Sequence, residues 1–478
     1  MSDGKRSKDT IASVAGEPGS AAGGYHREHR SPDERRAAGK ALRDAVPRAS
    51  HGKWTAPKNR RDPVDVLNES NEGRLSQFIP IRFGRMAKSP FNFFRGSAAI
   101  MAADLASTPQ SGIRLQACGD AHLLNFGCFA TPERRIIFDI NDFDETLPAP
   151  WEWDLKRLAT SLVIAARHLG LDYGEAAEMA TDTACSYRER MDNYASMRAL
   201  AVWYDAIDVE LFVKQIPTGQ AREHFDERVG EAQKKCAPEH LFEKLVEDHR
   251  GAPRIKDDPP LIFHPTPEQA PGLTSDFSKG LALYRDSLSE HVRMLFDRYH
   301  VRDLALKVVG VGSVGTICAV ALFMAADDDP IFLQIKEAKA SVLEPHAGAS
   351  QYKNHGERVV KGQRLMQSAS DMFLGWLGAS NGRDYYIRQL RDVKLSAIVE
   401  EWESKTLRAY GKICAWALAQ GHARSGDAAS IAGYMGSKSS FDDAISEFAV
   451  GYADQNELDY KAFAKAIEAG RVKVVTET

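Results

Sequence analysis

Apolar positions fall at helical spacing in two long parts of the chain and run as short unbroken or alternating strings in two others. Leu155, Leu158, Leu162, Ile164 and Ala165 form one stripe and the stretch through Phe242, Leu245 and Val246 another, so residues 153–250 are predicted helical. The same period returns in Leu407, Tyr410, Ile413, Cys414 and Leu418, within a tail from Ile398 to Ile467. Between Ile113 and Glu145, short β-branched or aromatic runs alternate with turn residues. There, Ile136-Ile137-Phe138 after Thr131-Pro132-Glu133-Arg134 predicts the return strand of a hairpin. A second β-rich block spans Leu304 to Leu395, with one helix around Gly356 to Ser368. Pro63 at a first helical position, followed by Val64, Val66 and Leu67, predicts a short helix where order begins. Residues 1 to 60 carry Gly, Ser, Ala, Arg and Lys with little apolar period and are expected to be a mobile tail. The Pro-rich segment Ala252 to Gly272 reads as a linker or long loop, and no internal repeat is found.

Composition narrows the class without naming a function. The 478 residues are 43% hydrophobic and 27% charged, which suits a globular protein of two or three packed lobes. A formal charge of −4, from 62 basic and 66 acidic residues, supplies no global field for nucleic acid or an anionic membrane, so neither is expected as a partner. Any anionic ligand must be held by local features. The six cysteines are scattered with no C-x-x-C pair, and neither a signal-like nor a membrane-length apolar stretch is present, so a reducing, cytoplasmic location is expected.

The candidate chemistry sits in Cys118-Gly119-Asp120-Ala121-His122-Leu123-Leu124-Asn125-Phe126-Gly127 and the hairpin after it. Phosphoryl transfer from a nucleotide needs a carboxylate beside the acceptor group, and amide and carboxylate oxygens that hold magnesium against the phosphates. Asp120 and Asn125 lie five positions apart, and the hairpin returns the acidic run Phe138-Asp139-Ile140-Asn141-Asp142-Phe143-Asp144-Glu145 toward them. The plain alternative is that Asp120 and Asn125 are turn residues and Asp139 caps a strand end.

Gly119-Asp120-Ala121-His122-x-x-Asn125 resembles the G-D-x-H-x-x-N catalytic loop of aminoglycoside phosphotransferases and choline kinases. Ile137-Phe138-Asp139 resembles their metal-binding segment, and Trp153-Asp154-Leu155 the start of their next helix. The resemblance covers about 50 residues. It implies Asp120 as base, with His122 of the same motif grouped as catalytic, Asn125 and Asp139 as metal ligands, and Asp154 as a support for the loop. The second acidic cluster departs from the usual pattern, so Asp142 joins the metal candidates and Asp144 stays open beside it. S-P-F-N-F-F-R-G, G-D-A-H-L-L-N-F-G and F-D-I-N-D-F-D-E in succession resemble more closely an uncharacterised bacterial family of unknown function, which brings no substrate with it.

Gly310, Gly312 and Gly315 form a G-x-G-x-x-G pattern with Ser313 inside it, able to bring backbone N–H groups to phosphates. A Rossmann turn would open a helix after Gly315, with Asp327 to Asp329 at the distance of a ribose-binding acid, whereas a kinase loop would be the bend of a hairpin. The uncharged run from Thr316 to Met324 favours the hairpin. It leads to Ile331-Phe332-Leu333-Gln334-Ile335-Lys336, which resembles the V-A-I-K strand of kinases. That likeness implies Lys336 on the nucleotide phosphates and Glu344 or Glu357 as its partner, with Tyr385 to Leu390 entering an adenine-binding hinge. Leu418-Ala419-Gln420-Gly421-His422 resembles the helix end that precedes the catalytic loop in aminoglycoside phosphotransferases. Arg82, Arg85 and Arg95 in the basic segment before the loop are candidates for phosphate or an anionic acceptor, or else form a surface charge cluster.

The expected fold is therefore α+β and two-lobed, protein-kinase-like and circularly permuted, because the catalytic loop precedes the glycine-rich strand pair. The expected divisions are a tail at 1–60, a catalytic-loop and helical lobe at 61–299, a β-rich nucleotide lobe at 300–396 and a completing helical segment at 397–478. The expected activity is ATP- and magnesium-dependent phosphotransfer to a small hydroxylated or amino-bearing acceptor. A nucleotide-binding pseudokinase and a dinucleotide-dependent oxidoreductase using Gly310 to Gly315 are the alternatives.

Overall fold

The computed structural model describes residues 30–475, apart from 235–237, 270–272, 309, 327–328, 380–381, 391–393 and 396. The first helices are α1 (Pro32–Ala41), α2 (Pro63–Glu69), α3 (Ile79–Met86), α4 (Pro90–Gly96) and α5 (Ala98–Leu105). Strands β1 (Arg114–Ala117), β2 (Phe126–Ala130), β3 (Ile136–Ile140) and β4 (Leu147–Pro150) follow, then the long helices α6 (Trp151–His168) and α7 (Tyr173–Ser196). Shorter pieces come next: α8 (Ala199–Tyr204), β5 (Ile207–Asp208), α9 (Val209–Gln215), α10 (Gln220–Lys234), α11 (Pro238–Leu245), β6 (Val246–His249), β7 (Ala252–Ile255), β8 (Ile262–Phe263), α12 (Leu273–Ser287) and α13 (Glu290–Phe296). The β-rich block holds β9 (His300–Lys307), β10 (Cys318–Met324), β11 (Pro330–Ala338), α14 (Glu344–Ala347), α15 (His355–Met366), β12 (Gly375–Gly378), β13 (Asp384–Gln389) and β14 (Lys394–Leu395). The chain closes with α16 (Ser404–Ser425), α17 (Ala428–Met435) and α18 (Ser440–Glu468).

The result is a mixed α+β molecule whose larger sheet has six antiparallel strands in the order β12-β13-β11-β10-β9-β8. All residues of β10 and β11 are buried. Leu333, Ile335 and Phe323 pack with Tyr284 and Phe296 on one face, while Val320, Leu322 and Phe332 pack with Val246 and Ile255 on the other. Covering on both faces explains the unbroken apolar run of β10. The Pro-rich segment thus contributes β7 and β8 where a linker or loop was expected. No helix opens after Gly315: the turn runs directly into β10, which pairs antiparallel with β9, so the glycines lie in the bend of a hairpin. Asp327 and Asp328 lie outside the described residues.

The second core gathers α6, α7, α16, α17 and α18 against β1 to β4. α16 ends beside β1, where Ser425 Oγ donates to the Gln116 carbonyl at 3.2 Å. β14 lies on the edge of the β2–β3 hairpin. Among the described residues no helix is long and apolar enough to cross a membrane.

Residues 1–29 of the expected tail lie outside the described residues, but within 30–60 a helix forms, and Gly39, His51 and Gly52 are buried. Ser31 and Glu34 form a capping box with Pro32 at the first helical position, which sets the start of α1. α1 then crosses α17 at close range: a Cβ on Gly39 would stand 1.9 Å from Ser430 O, and one on Gly433 2.1 Å from Arg36 O. The composition of a tail hid a helix whose partner lies almost 400 residues away in sequence.

Candidate active site

The loop after β1 is fixed by its backbone. Gly119 has φ +86° and its Cα faces Glu145 O, where a Cβ would come within 2.3 Å, so only glycine fits. The Asp154 carboxylate, in the first turn of α6, accepts from Cys118 N at 2.7 Å and Gly119 N at 3.0 Å. Its Oδ2 also lies 3.1 Å from His422 Nε2, and His422 Nδ1 is 2.7 Å from the Tyr187 hydroxyl. The start of α6 and the end of α16 thereby grip the loop together.

Within the loop, Asn125 Nδ2 donates to Asp120 O at 2.7 Å, which leaves the amide oxygen as the side chain's remaining donor to a cation. The Asp120 carboxylate accepts from Arg157 Nε at 2.7 Å. Arg157 is itself held by Phe94 O at 2.9 Å and lies 4.0 Å over the Phe94 ring. His122 is buried, and burial lowers its pKa to about 3, with nearby Asp120 acting against this; its imidazole is neutral near pH 7.

The hairpin separates the acidic residues. Asp139 was expected at the metal, but it sits inside β3 and is 1% exposed. Its Oδ1 accepts from Ile140 N at 2.7 Å, and its Oδ2 from Ser368 N at 2.8 Å and Ser368 Oγ at 2.6 Å. Burial outweighs these bonds and raises its pKa. Asp142 and Asp144, beyond the strand end, turn instead to a cleft of about 160 Å³.

That cleft brings most of the expected site residues together. Asp120, His122, Asn125, Asp142 and Asp144 line it together with Gly310, Gly312, Ser313 and Thr316. Gly315 is not in the lining; it packs on the Arg74 side chain, and its carbonyl accepts from Leu75 N at 2.7 Å. Lys336, buried in β11, reaches across 192 residues of sequence to Asp144 Oδ2 at 2.8 Å and Oδ1 at 3.0 Å, with Asp142 Oδ2 at 3.5 Å. Burial alone would lower its pKa, but Asp142 and Asp144 prevail and hold it well above the ordinary lysine value. The same attraction keeps Asp142 below its ordinary value despite burial. Tyr386 on β13 donates to Asp144 at 2.6 Å, and Ser313 of the glycine-rich turn lies 3.3 Å from it.

Glu344 and Glu357 were the expected partners of Lys336, and the structure gives neither that place. Glu357 opens α15 away from the cleft lining, with its backbone N–H capped by Asn354, and Glu344 accepts from Ser341 N at 3.2 Å. Of the basic segment, Arg82 and Arg95 line the cleft, whereas Arg85 lies outside the lining and donates to Gly310 O.

A model of the family described as "Uncharacterized protein conserved in bacteria (DUF2252)" matches residues 74–466, a span that includes every cleft-lining residue except Ser70. The chain belongs to the DUF2252 family. No curated protein and no solved structure matches it. In this DUF2252 chain the sequence reading missed four residues at the site: Arg74, Lys339 and Glu145, which line the cleft, and Arg157, which holds Asp120. Arg157 alone had a local signal, one helical turn after Asp154 on the same face of α6. Glu145 accepts from Val342 N at 2.7 Å, and burial raises its pKa to about 7.

The oxygens at the cleft are of the kind that could hold magnesium. Among the described residues no group of three or more His, Cys, Asp or Glu is gathered as a cation cage. The Asn125 amide oxygen and the Asp142 and Asp144 carboxylates are hard donors, and magnesium held against phosphates needs only one or two carboxylates from protein.

Proposed function

We propose that this protein is an ATP- and magnesium-dependent phosphotransferase with a circularly permuted, kinase-like arrangement of its two lobes. One observation carries the reading: Asp120, Asn125 and Asp142 share a cleft with the Gly310–Ser313 turn, and buried Lys336 reaches into the same acidic cluster, although the two groups are nearly 200 residues apart. The closeness of Ser425 to Gln116 supports the permutation, since it sets the helix that follows the β-rich block beside the strand that leads into the catalytic loop.

In this reading the Gly310 to Ser313 backbone and Lys336 hold the nucleotide phosphates, and Asn125 with Asp142 would hold magnesium, which supplies charge neutralisation at the phosphates. The acceptor's hydroxyl oxygen or amine nitrogen forms a bond to the γ-phosphorus as the bond to the β-phosphate oxygen breaks, and ADP leaves with that electron pair. Asp120 orients the acceptor and takes its proton, with Arg157 fixing the carboxylate's direction. Binding of nucleotide replaces the Lys336–Asp144 contact by one to phosphate and frees the acidic residues.

A nucleotide-binding protein that transfers nothing is the second reading, favoured by the engagement of Lys336 with Asp144. A dinucleotide reading loses its geometric basis, because a strand and not a helix follows Gly315. Calorimetric titration with ATP, ADP and NAD, each with and without magnesium, tests the proposal. Magnesium-dependent ATP binding is expected, and its absence, or tighter binding of NAD, overturns it.

A further inference from the structure

Four cations line the cleft, together with the carboxylates of Glu145 and Glu337. Arg74 precedes α3, Arg82 lies in α3, Arg95 ends α4 and Lys339 follows β11. None of these four has a carboxylate within salt-bridge reach among the described residues. Arg74 donates to the carbonyls of Ser70 and Val314, Arg82 to Asn71 Oδ1 and Gly96 O, Arg95 to Asn92 Oδ1, and Lys339 to Glu72 O. Burial lowers the pKa of all four; carboxylates beyond salt-bridge distance offset it in part for Arg74, Arg95 and Lys339, and none does so for Arg82. Arg82 is only 2% exposed and its Nε has no hydrogen-bond partner; Arg95 Nε and His122 Nδ1 are likewise enclosed without one. Uncompensated donors and charges of this kind are costly unless a ligand meets them.

The cations form a track that begins beside the reacting end of the site. Arg95 and Asp120 influence each other electrostatically, as do Arg82 and Arg74, and Lys339 with both. Under the phosphotransfer reading, the nucleotide's own phosphates are served by Lys336, the glycine-rich turn and magnesium, while Arg74 adjoins that turn and holds its Val314 carbonyl. We infer that the cation track receives an oxyanion on the acceptor: the acceptor is a small phosphate- or carboxylate-bearing molecule whose hydroxyl or amino group lies at Asp120 and whose anionic end lies at Arg95, Arg82 and Arg74. The inference rests on the phosphotransfer reading for the word acceptor, but the oxyanion site rests on the cations alone.

The test uses the full chain and three probes, inorganic phosphate, succinate and magnesium with the non-hydrolysable analogue AMP-PNP, followed by calorimetry. Saturable binding of phosphate or succinate is expected both without and with saturating magnesium–AMP-PNP, and whichever of the two binds more tightly identifies the anionic group. Arg95→Gln is expected to weaken the oxyanion by about tenfold or more while leaving AMP-PNP affinity within about threefold, and Arg95→Lys, which keeps the charge, to recover most of the loss. Competition between oxyanion and AMP-PNP overturns the inference, since the cations would then serve the nucleotide's phosphates. Oxyanion binding unchanged in Arg95→Gln overturns it as well. AMP-PNP bound with no oxyanion overturns the acceptor class alone, whereas oxyanion bound with no AMP-PNP overturns the phosphotransfer reading and with it the assignment to an acceptor.

Discussion

Asp139 and Asp142 stand three positions apart on one arm of a hairpin, yet their carboxylates have opposite surroundings. Both oxygens of Asp139 are used by backbone and Ser368 donors, while Asp142 faces the cleft and Lys336. Asp139→Ala leaves buried donors unsatisfied and is expected to lower stability by about 1–3 kcal/mol in denaturant titration without changing the magnesium dependence of ATP binding. Asp142→Ala is expected to do the reverse: magnesium-dependent ATP binding is lost with little change in the denaturation midpoint. Magnesium dependence lost in the Asp139 variant and kept in the Asp142 variant would return the ligand role to the strand. Asp120→Asn keeps the loop's backbone bonds to Asp154 and Asn125, so ATP affinity should stay within a few fold. Turnover, read even as slow ATP hydrolysis, should fall by roughly 10²–10⁴. Equal hydrolysis by the two proteins would favour the reading without transfer. At this scale the sequence showed Asp120 and Asn125 because a loop of ten residues keeps them together. It left Asp139 against Asp142 open because strand burial decides between them, and burial comes from distant chain.

Elements carry the geometry that residues alone do not. The hairpin around the glycines was legible, since an uncharged run after Gly315 requires a strand buried on both faces. The cations Arg74 and Lys339 were not, because each meets the cleft only through the docking of the turn before α3 and the end of β11. A separate cluster fixes the outer edge of the large sheet. His264, just after β8, places Nδ1 2.8 Å from Asp257 and Nε2 3.0 Å from Asp303 of β9, with Arg254 Nη2 2.9 Å from Nδ1. The hydrogen bond to Asp303, aided by Asp257, raises the His264 pKa, and contact with His264 lowers both carboxylates despite their partial burial. A raised histidine pKa gives stability that is complete below its unfolded value and disappears as pH rises through the folded value. The lowered carboxylates give stability present above their unfolded values and lost on acidification. The two conditions overlap from about pH 4 to somewhat above 6.5. His264→Asn should therefore lower the thermal midpoint most near pH 5–6 and least near pH 9; a difference constant across pH would exclude the ionic origin.

At the scale of the whole molecule, the first and last parts of the chain are tied together. Arg60 reaches Asp104 of α5 at 2.8 Å and Asp459 of α18 at 2.6 Å, and its guanidinium is largely shielded from water. Removing one member of a buried network leaves the others uncompensated, so Arg60→Ala should cost about 3–5 kcal/mol by equilibrium denaturation, while Arg61→Ala at the exposed Glu69 pair should be nearly silent. Equal effects at both positions would show that Arg60 is no more than a surface charge. Packing of α1 on α17 and of Arg60 on α18 escaped the sequence reading for one reason: composition reports the solubility of a segment and not the identity of a surface that covers it much later in the chain. The contact of Ser425 with Gln116 spans 309 residues. On a ribosome adding about 5–20 residues per second, β1 and the loop after it emerge roughly 15–60 s before the helix that anchors them. During that interval the apolar faces of β1 to β4 and α6 have no α16 to cover them, and for its first part the carboxylates at the loop have no Lys336. The loop after β1 is therefore without its anchor until α16 has been made, and in that interval the nascent chain depends on whatever in the cell shields exposed apolar surface.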